Sequence, residues 1–224
     1  NQESYKTQLG YSNTIEKITY SDELINFDNF KYRNINNPYN VFVSPNDEYY
    51  VYKNNLVNTS LIIPAHFYGD NFNYIFSYKH DLTKHVNIDF GLVNEGSNFL
   101  GSTGSGVFET ETNTKTYFLD LESKHNFKNI NLLSDFSLGT TKVNFKNSDF
   151  IEDTSLITAD YSLGVNKDFE KQRIKSVIGF QQPLTIIEGE LQINTISGYD
   201  SDGNYMNRSQ NINLATQNIN FYFK

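Results

Sequence analysis

The chain has 224 residues, a formal net charge of −8 and no cysteine. The acidic balance excludes a nucleic-acid partner, because phosphate binding takes clustered Lys and Arg. The missing thiol excludes a disulfide scaffold, a cysteine nucleophile and a zinc–thiolate site. Apolar content is only 38% while aromatic content reaches 15%, which is too aromatic for disorder and suits one all-β domain needing oily residues on a single face.

Residues 1–58 read as a lead-in, a linker or a plug. Ser21-Asp22-Glu23 before Leu24 and Ile25 has the pattern of a short helix start. Pro38, Pro45 and the Asn-rich stretch 34–40 read as loop. Val41-Phe42-Val43 and Tyr49 to Tyr52 read as short strands.

From residue 59 to 224 the pattern is that of an antiparallel sheet. Ser60 to Phe67 reads as a strand in which Pro64 suggests an edge or a bulge. After a turn at Gly69-Asp70-Asn71, Phe72, Tyr74, Phe76 and Tyr78 alternate. A short turn from His80 to His85 leads to Val86, Ile88, Phe90 and Leu92, set against Asn87, Asp89 and Gly91. A Gly/Ser-rich loop covers 95–112. Tyr117, Leu119 and Leu121 then oppose Thr116, Asp120 and Glu122, with Phe118 breaking the pattern.

Asn126 to Asn129 is another tight turn. Ile130, Leu132, Phe136 and Leu138 follow it against Asn131, Asp135, Ser137 and Gly139. A polar loop spans 144–154. Next, Ile157, Ala159, Tyr161, Leu163 and Val165 share one face, and Thr158, Asp160, Ser162, Gly164 and Asn166 the other. A turn at Asn166 to Gln172 opens a strand from Arg173 to about Ile187. The longest excursion, 188–217, carries its own hairpin around Asp202-Gly203, read as a two-residue turn. Ile219, Phe221 and Phe223 close the chain on one face.

The connections alternate short and long, and the segments 114–125, 130–142, 155–166 and 173–187 reach the roughly 9–11 residues of a membrane-crossing strand, where soluble strands average about 5–6. This is the rhythm of an outer-membrane barrel with short periplasmic turns and long external loops. No stretch approaches the roughly 20 apolar residues of a membrane helix, which does not bear on a barrel. The chain begins at Asn1 with no visible signal peptide and reads as a processed product or an excised domain.

From about Gly91 onward the chain resembles the barrel translocator of subtilisin-like serine protease autotransporters. The resemblance rests on the run from Leu100 to Phe108, on Ser162-Leu163-Gly164-Val165, on Gly179-Phe180-Gln181-Gln182-Pro183-Leu184 with Glu188-Gly189, on Asp200-Ser201-Asp202-Gly203-Asn204 and on the closing Asn218 to Phe223. Thr185 stands where that family carries a basic residue. The resemblance implies an antiparallel transmembrane β-barrel of about 12 strands when complete, crossed by an N-terminal helix. It implies a bacterial outer-membrane location, anchoring and export of an upstream protease passenger, and three partners: outer-membrane lipid, the passenger segment and the barrel-assembly machinery. The family continues past the position of Phe223, so the barrel is either truncated here or built from fewer strands.

No catalytic, cofactor-binding or metal site is expected. Gly101 to Gly106 is Ser-rich but lacks the Gly-x-Ser-x-Gly spacing of a nucleophile elbow. Of His66, His80, His85 and His125, the pair His80/His85 lies across one turn, yet no carboxylate is spaced to complete a metal site. Asp200, Asp202 and Asn204 begin like a calcium loop but lack its later Glu, which favours an Asp-Gly turn. Asp89, Asp120, Glu122, Asp135 and Asp160 share the polar face, with Arg173 and Lys175 as their expected counter-charges. Two other readings remain open: a porin-like or structural barrel without a passenger, and a soluble β-sandwich binding module.

Overall fold

The computed structural model describes residues 5–9, 13–19, 48–64, 73–96, 98–100, 102–103, 105–110, 114–128, 130–146, 149–169, 174–216 and 220–223. They hold β1 (Tyr5–Leu9), β2 (Asn13–Thr19), β3 (Glu48–Asn54), β4 (Thr59–Pro64), β5 (Asn73–Thr83) and β6 (Val86–Glu95). A small hairpin of β7 (Asn98–Phe99) and β8 (Ser102–Thr103) follows. Then come β9 (Lys115–Phe127), β10 (Ile130–Val143), β11 (Thr154–Phe169) and β12 (Ile174–Glu188). A second hairpin, β13 (Glu190–Tyr199) with β14 (Tyr205–Asn213), precedes β15 (Asn220–Phe223).

Eleven of these strands form one antiparallel sheet in the order β1-β2-β3-β4-β5-β6-β9-β10-β11-β12-β15. The protein is therefore all-β and antiparallel, as its alternation predicts. Among the described residues β1 and β15 are the two edges of an open sheet, so the closed barrel expected from the rhythm is not seen. β1, β2 and β3 belong to the same sheet as β4 to β6, β9 to β12 and β15. The helix start at Ser21 and the strand at Val41–Val43 lie outside the described residues.

The strands form because side chains alternate between two unlike surroundings. In β10, Leu133, Asp135, Ser137, Gly139, Thr141 and Val143 are buried, while Phe136, Leu138 and Thr140 are exposed. The side richer in polar residues is thus the inner one. No second long sheet covers it: apart from the main sheet, the described residues hold only the hairpins β7–β8 and β13–β14. On that inner side Thr116, Ser137 and Thr141 are completely buried.

Several turns differ from their expected positions. β5 runs through His80 to Thr83, leaving Lys84 and His85 as the turn. Its Thr83 hydroxyl accepts hydrogen bonds from the backbone N–H of His85 and Val86, 3.1 Å each. Pro64 is the last described residue of β4, opposite Tyr49, and the remainder of the strand expected to reach Phe67 lies outside the described residues. The β13–β14 turn is longer than two residues, because Tyr199 pairs with Tyr205 and the whole of Asp200 to Asn204 lies between them. Gly203 takes φ +83° there, a left-handed conformation that glycine adopts without a Cβ clash.

Candidate functional site

The strand register lines side chains up in rows across the sheet, and the rows of the outer face are largely apolar, interrupted by His80, Ser123, Ser134 and Thr140. One row runs Tyr52, Leu61, Phe76, Leu92 and Tyr117 across five strands. The next runs Tyr78, Phe90, Leu119 and Leu138. A third runs Ile88, Leu121, Phe136 and Tyr161, and Leu132, Val165 and Ile178 continue the face toward β12. Phe76 is 47% exposed, Tyr117 55% and Ile178 57%. Water-soluble monomers rarely carry continuous apolar surface beyond a few hundred Å², and these rows extend from β3 to β12.

The inner face carries the charge. Lys79, Asp89, Asp120, Ser137 and Asp160 form one row. Asp81, Asn87, Glu122, Asp135, Ser162 and Gln181 form the next. The five carboxylates expected to share the polar face, Asp89, Asp120, Glu122, Asp135 and Asp160, thus stand in two adjacent rows. One observed counter-charge is Lys79, whose Nζ lies 3.2 Å from Glu122 Oε2. Of the expected cations, Arg173 is outside the described residues, and Lys175 stands opposite Asp168 in the β11–β12 register. Lys79 was legible only as a polar residue among aromatics, since its partner lies 43 positions away. Hydroxyls link neighbouring strands within a row: Ser137 Oγ donates to Asp120 Oδ1 at 2.6 Å, Thr116 and Thr141 share a bond of 2.7 Å, and Ser60 and Ser77 one of 2.8 Å.

Phe118 is the aromatic exception on this wall. It lies between Gly91 and Gly139 in the register, and a Cβ at Gly91 would stand 2.1 Å from the ring. The two glycines make room for the ring, which is why Phe118 reverses the alternation and is buried. Toward the end of the sheet that carries the long connections the inner wall turns apolar. Val51, Ile62, Ile75 and Val93 form a row there, none more than 4% exposed.

The histidines sort differently from the sequence pairing. His85 meets His125, with ring centroids 5.0 Å apart, rather than His80. The His85 ring Nδ1 lies 3.0 Å from the Lys124 carbonyl oxygen. His66 is outside the described residues. Among the described residues no group of three or more His, Asp and Glu side chains is placed to hold a metal ion. The Asp200 carboxylate spends its oxygens inside its own turn, accepting from the Asp202 and Asn204 backbone N–H groups and from Asn204 Nδ2 at 2.8–3.0 Å.

Compared with family models, curated proteins and solved structures, the chain matches none.

Proposed function

We propose that this chain is the wall of a transmembrane β-barrel in a bacterial outer membrane, acting as the translocator that anchors and helps export an upstream passenger, with a subtilisin-like protease as that passenger. One observation carries the membrane reading: the exposed face of the long sheet is largely a band of Phe, Tyr, Leu and Ile, while the buried face is acidic and hydroxyl-rich. Lipid covers such a band at no desolvation cost, and a wet interior accepts such a wall. A soluble sandwich would bury the apolar face against a second sheet, and none lies over it among the described residues.

The backbone favours closure. Every N–H and C=O in lipid has to be bonded within the protein, so an open edge is not tolerated there. With eleven antiparallel strands the edges β1 and β15 run in the same direction. One further strand between them, antiparallel to both, completes an even-numbered wall of twelve. That is the number the autotransporter resemblance implies. The passenger assignment rests on that resemblance alone. The porin-like alternative shares the wall and differs only in what precedes it.

The test is assembly. Refolded in detergent or lipid vesicles, the chain should run at a different apparent size on gels when unheated, and should partition with outer membranes in cells. A monomeric protein with native β-spectrum in buffer lacking detergent would refute the membrane reading. An inert reporter joined upstream of Asn1 separates the alternatives: protease-accessible reporter at the cell surface supports the translocator, and a reporter retained behind an inserted barrel supports the porin-like wall.

A further inference from the structure

The long connections do not hang free at their end of the sheet. They share one apolar cluster, in which Val143, Phe145, Ile151, Leu156 and Leu191 are each at most 7% exposed. Val143 and Leu156 continue the inward-facing series of β10 and β11. Phe145 and Ile151 come from the β10–β11 connection, Leu191 from the foot of the β13–β14 hairpin, and Phe99 and Leu100 of the β6–β9 connection pack against them.

Backbone bonds stitch the same pieces together. Asn194 N–H donates to the Phe150 carbonyl at 2.7 Å and Glu152 N–H to the Gln192 carbonyl at 3.1 Å, on either side of the Ile151–Ile193 bridge. Lys146 N–H donates to the Glu109 carbonyl at 2.9 Å, and their side chains form an ion pair. In the register the inward row of Val51, Ile62, Ile75 and Val93 reaches Leu156 of this cluster through the buried hydroxyls of Thr116 and Thr141.

Resting on the membrane-wall reading, we infer that this cluster is a cap and a gate: it seals the long-connection mouth of the interior, and the interior opens to that side only when the β13–β14 foot and the β10–β11 connection part. Apolar surfaces in contact exclude water and ions from a constriction. The seal sets Phe145, Ile151 and Leu191 of the connections against Val143 and Leu156 of the long strands, so the connections can part from it while the wall stays paired. Gly189 marks the hinge side. It takes φ +152°, and a Cβ there would stand 2.2 Å from Leu156 Cδ2.

The absence of native cysteine makes the test direct. A single thiol is placed beneath the cap by Thr141→Cys, or at the opposite end of the inner wall by Asn166→Cys, and each refolded chain is reacted with a cationic methanethiosulfonate reagent. With the cap intact, the Thr141→Cys thiol should react slowly. Adding Leu191→Asp, which charges the seal, or Gly189→Ala, which pries at Leu156, should speed that reaction while leaving the Asn166→Cys rate and the heat-dependent gel shift unchanged. Fast labelling at Thr141→Cys behind an intact cap overturns the gate, as does an unchanged rate in both cap variants or an equal rise at both thiols. A chain that stays soluble without detergent overturns the membrane reading and the gate with it, whereas an inserted chain with an unsealed mouth overturns the gate alone.

Discussion

Leu163 and Ser162 are neighbours in β11 with opposite surroundings. Ser162 is 5% exposed on the inner wall opposite Asp135, and Leu163 lies on the outer face opposite Phe180. An Arg at the lipid midplane costs about 2–4 kcal/mol, whereas interior changes are milder. Leu163→Arg should therefore lower the folded fraction in vesicles far more than Ser162→Arg, read from the unheated gel band. Equal tolerance would mean that the outer face does not meet lipid, and a worse Ser162→Arg would invert the two faces. The same alternation explains why the sequence gives no sign of Ile75 and Val93 as inward residues. Each sits between residues of the opposite face in a strand rich in large apolar side chains, so an apolar residue pointing inward leaves no mark on the pattern. Phe118 did leave one, because its neighbours kept the period.

At the scale of single elements, the β13–β14 turn has a built-in acid sensitivity. Its Asp200 carboxyl is held below the ordinary carboxylate range, first by the Asn204 side chain and then by backbone N–H groups of the turn. A carboxylate lowered on folding adds stability that is full above its unfolded pKa and is lost as pH falls through the folded value. The amide proton shifts of Asp202 and Asn204 should thus report a turn ordered at neutral pH and released only below the ordinary carboxylate range. A midpoint at or above that of an Asp in an unstructured peptide would refute this. Much of the element layout was legible in the sequence. β9 to β12 fall within a few residues of their expected bounds, because long runs of strict alternation leave little freedom of register. What was not legible depended on distant partners. His85 and His125 meet through the β6–β9 pairing, across 40 positions. β1 and β2 carry Thr, Lys and Glu on short segments, too weakly patterned to stand out from a linker. The Asp-Gly signal was real, but the Asp200 side-chain bonds widen the turn to five residues.

For the molecule as a whole, the strand order is a meander. Every joint of the main sheet links strands adjacent along the chain, except where β7–β8 or β13–β14 is interposed. Such a wall needs no threading: each strand adds to the one before it, and the loop closed at each short-turn joint is small. The order of growth then has a natural last step. β12 meets β15 only after the whole β13–β14 excursion, and among the described residues the two share the pairs from Ile178–Phe223 to Gln181–Asn220, whereas β10 pairs with β11 along its whole length. The seam at β15 is thus the place where the sheet should breathe. Hydrogen exchange should reach the amides of 220–223 well before those of 130–143, and equal protection in both would show that something else clamps the seam. An edge that joins the sheet last would also be where a newcomer strand finds unmatched backbone groups, which makes β15 a place at which the wall could accept additions.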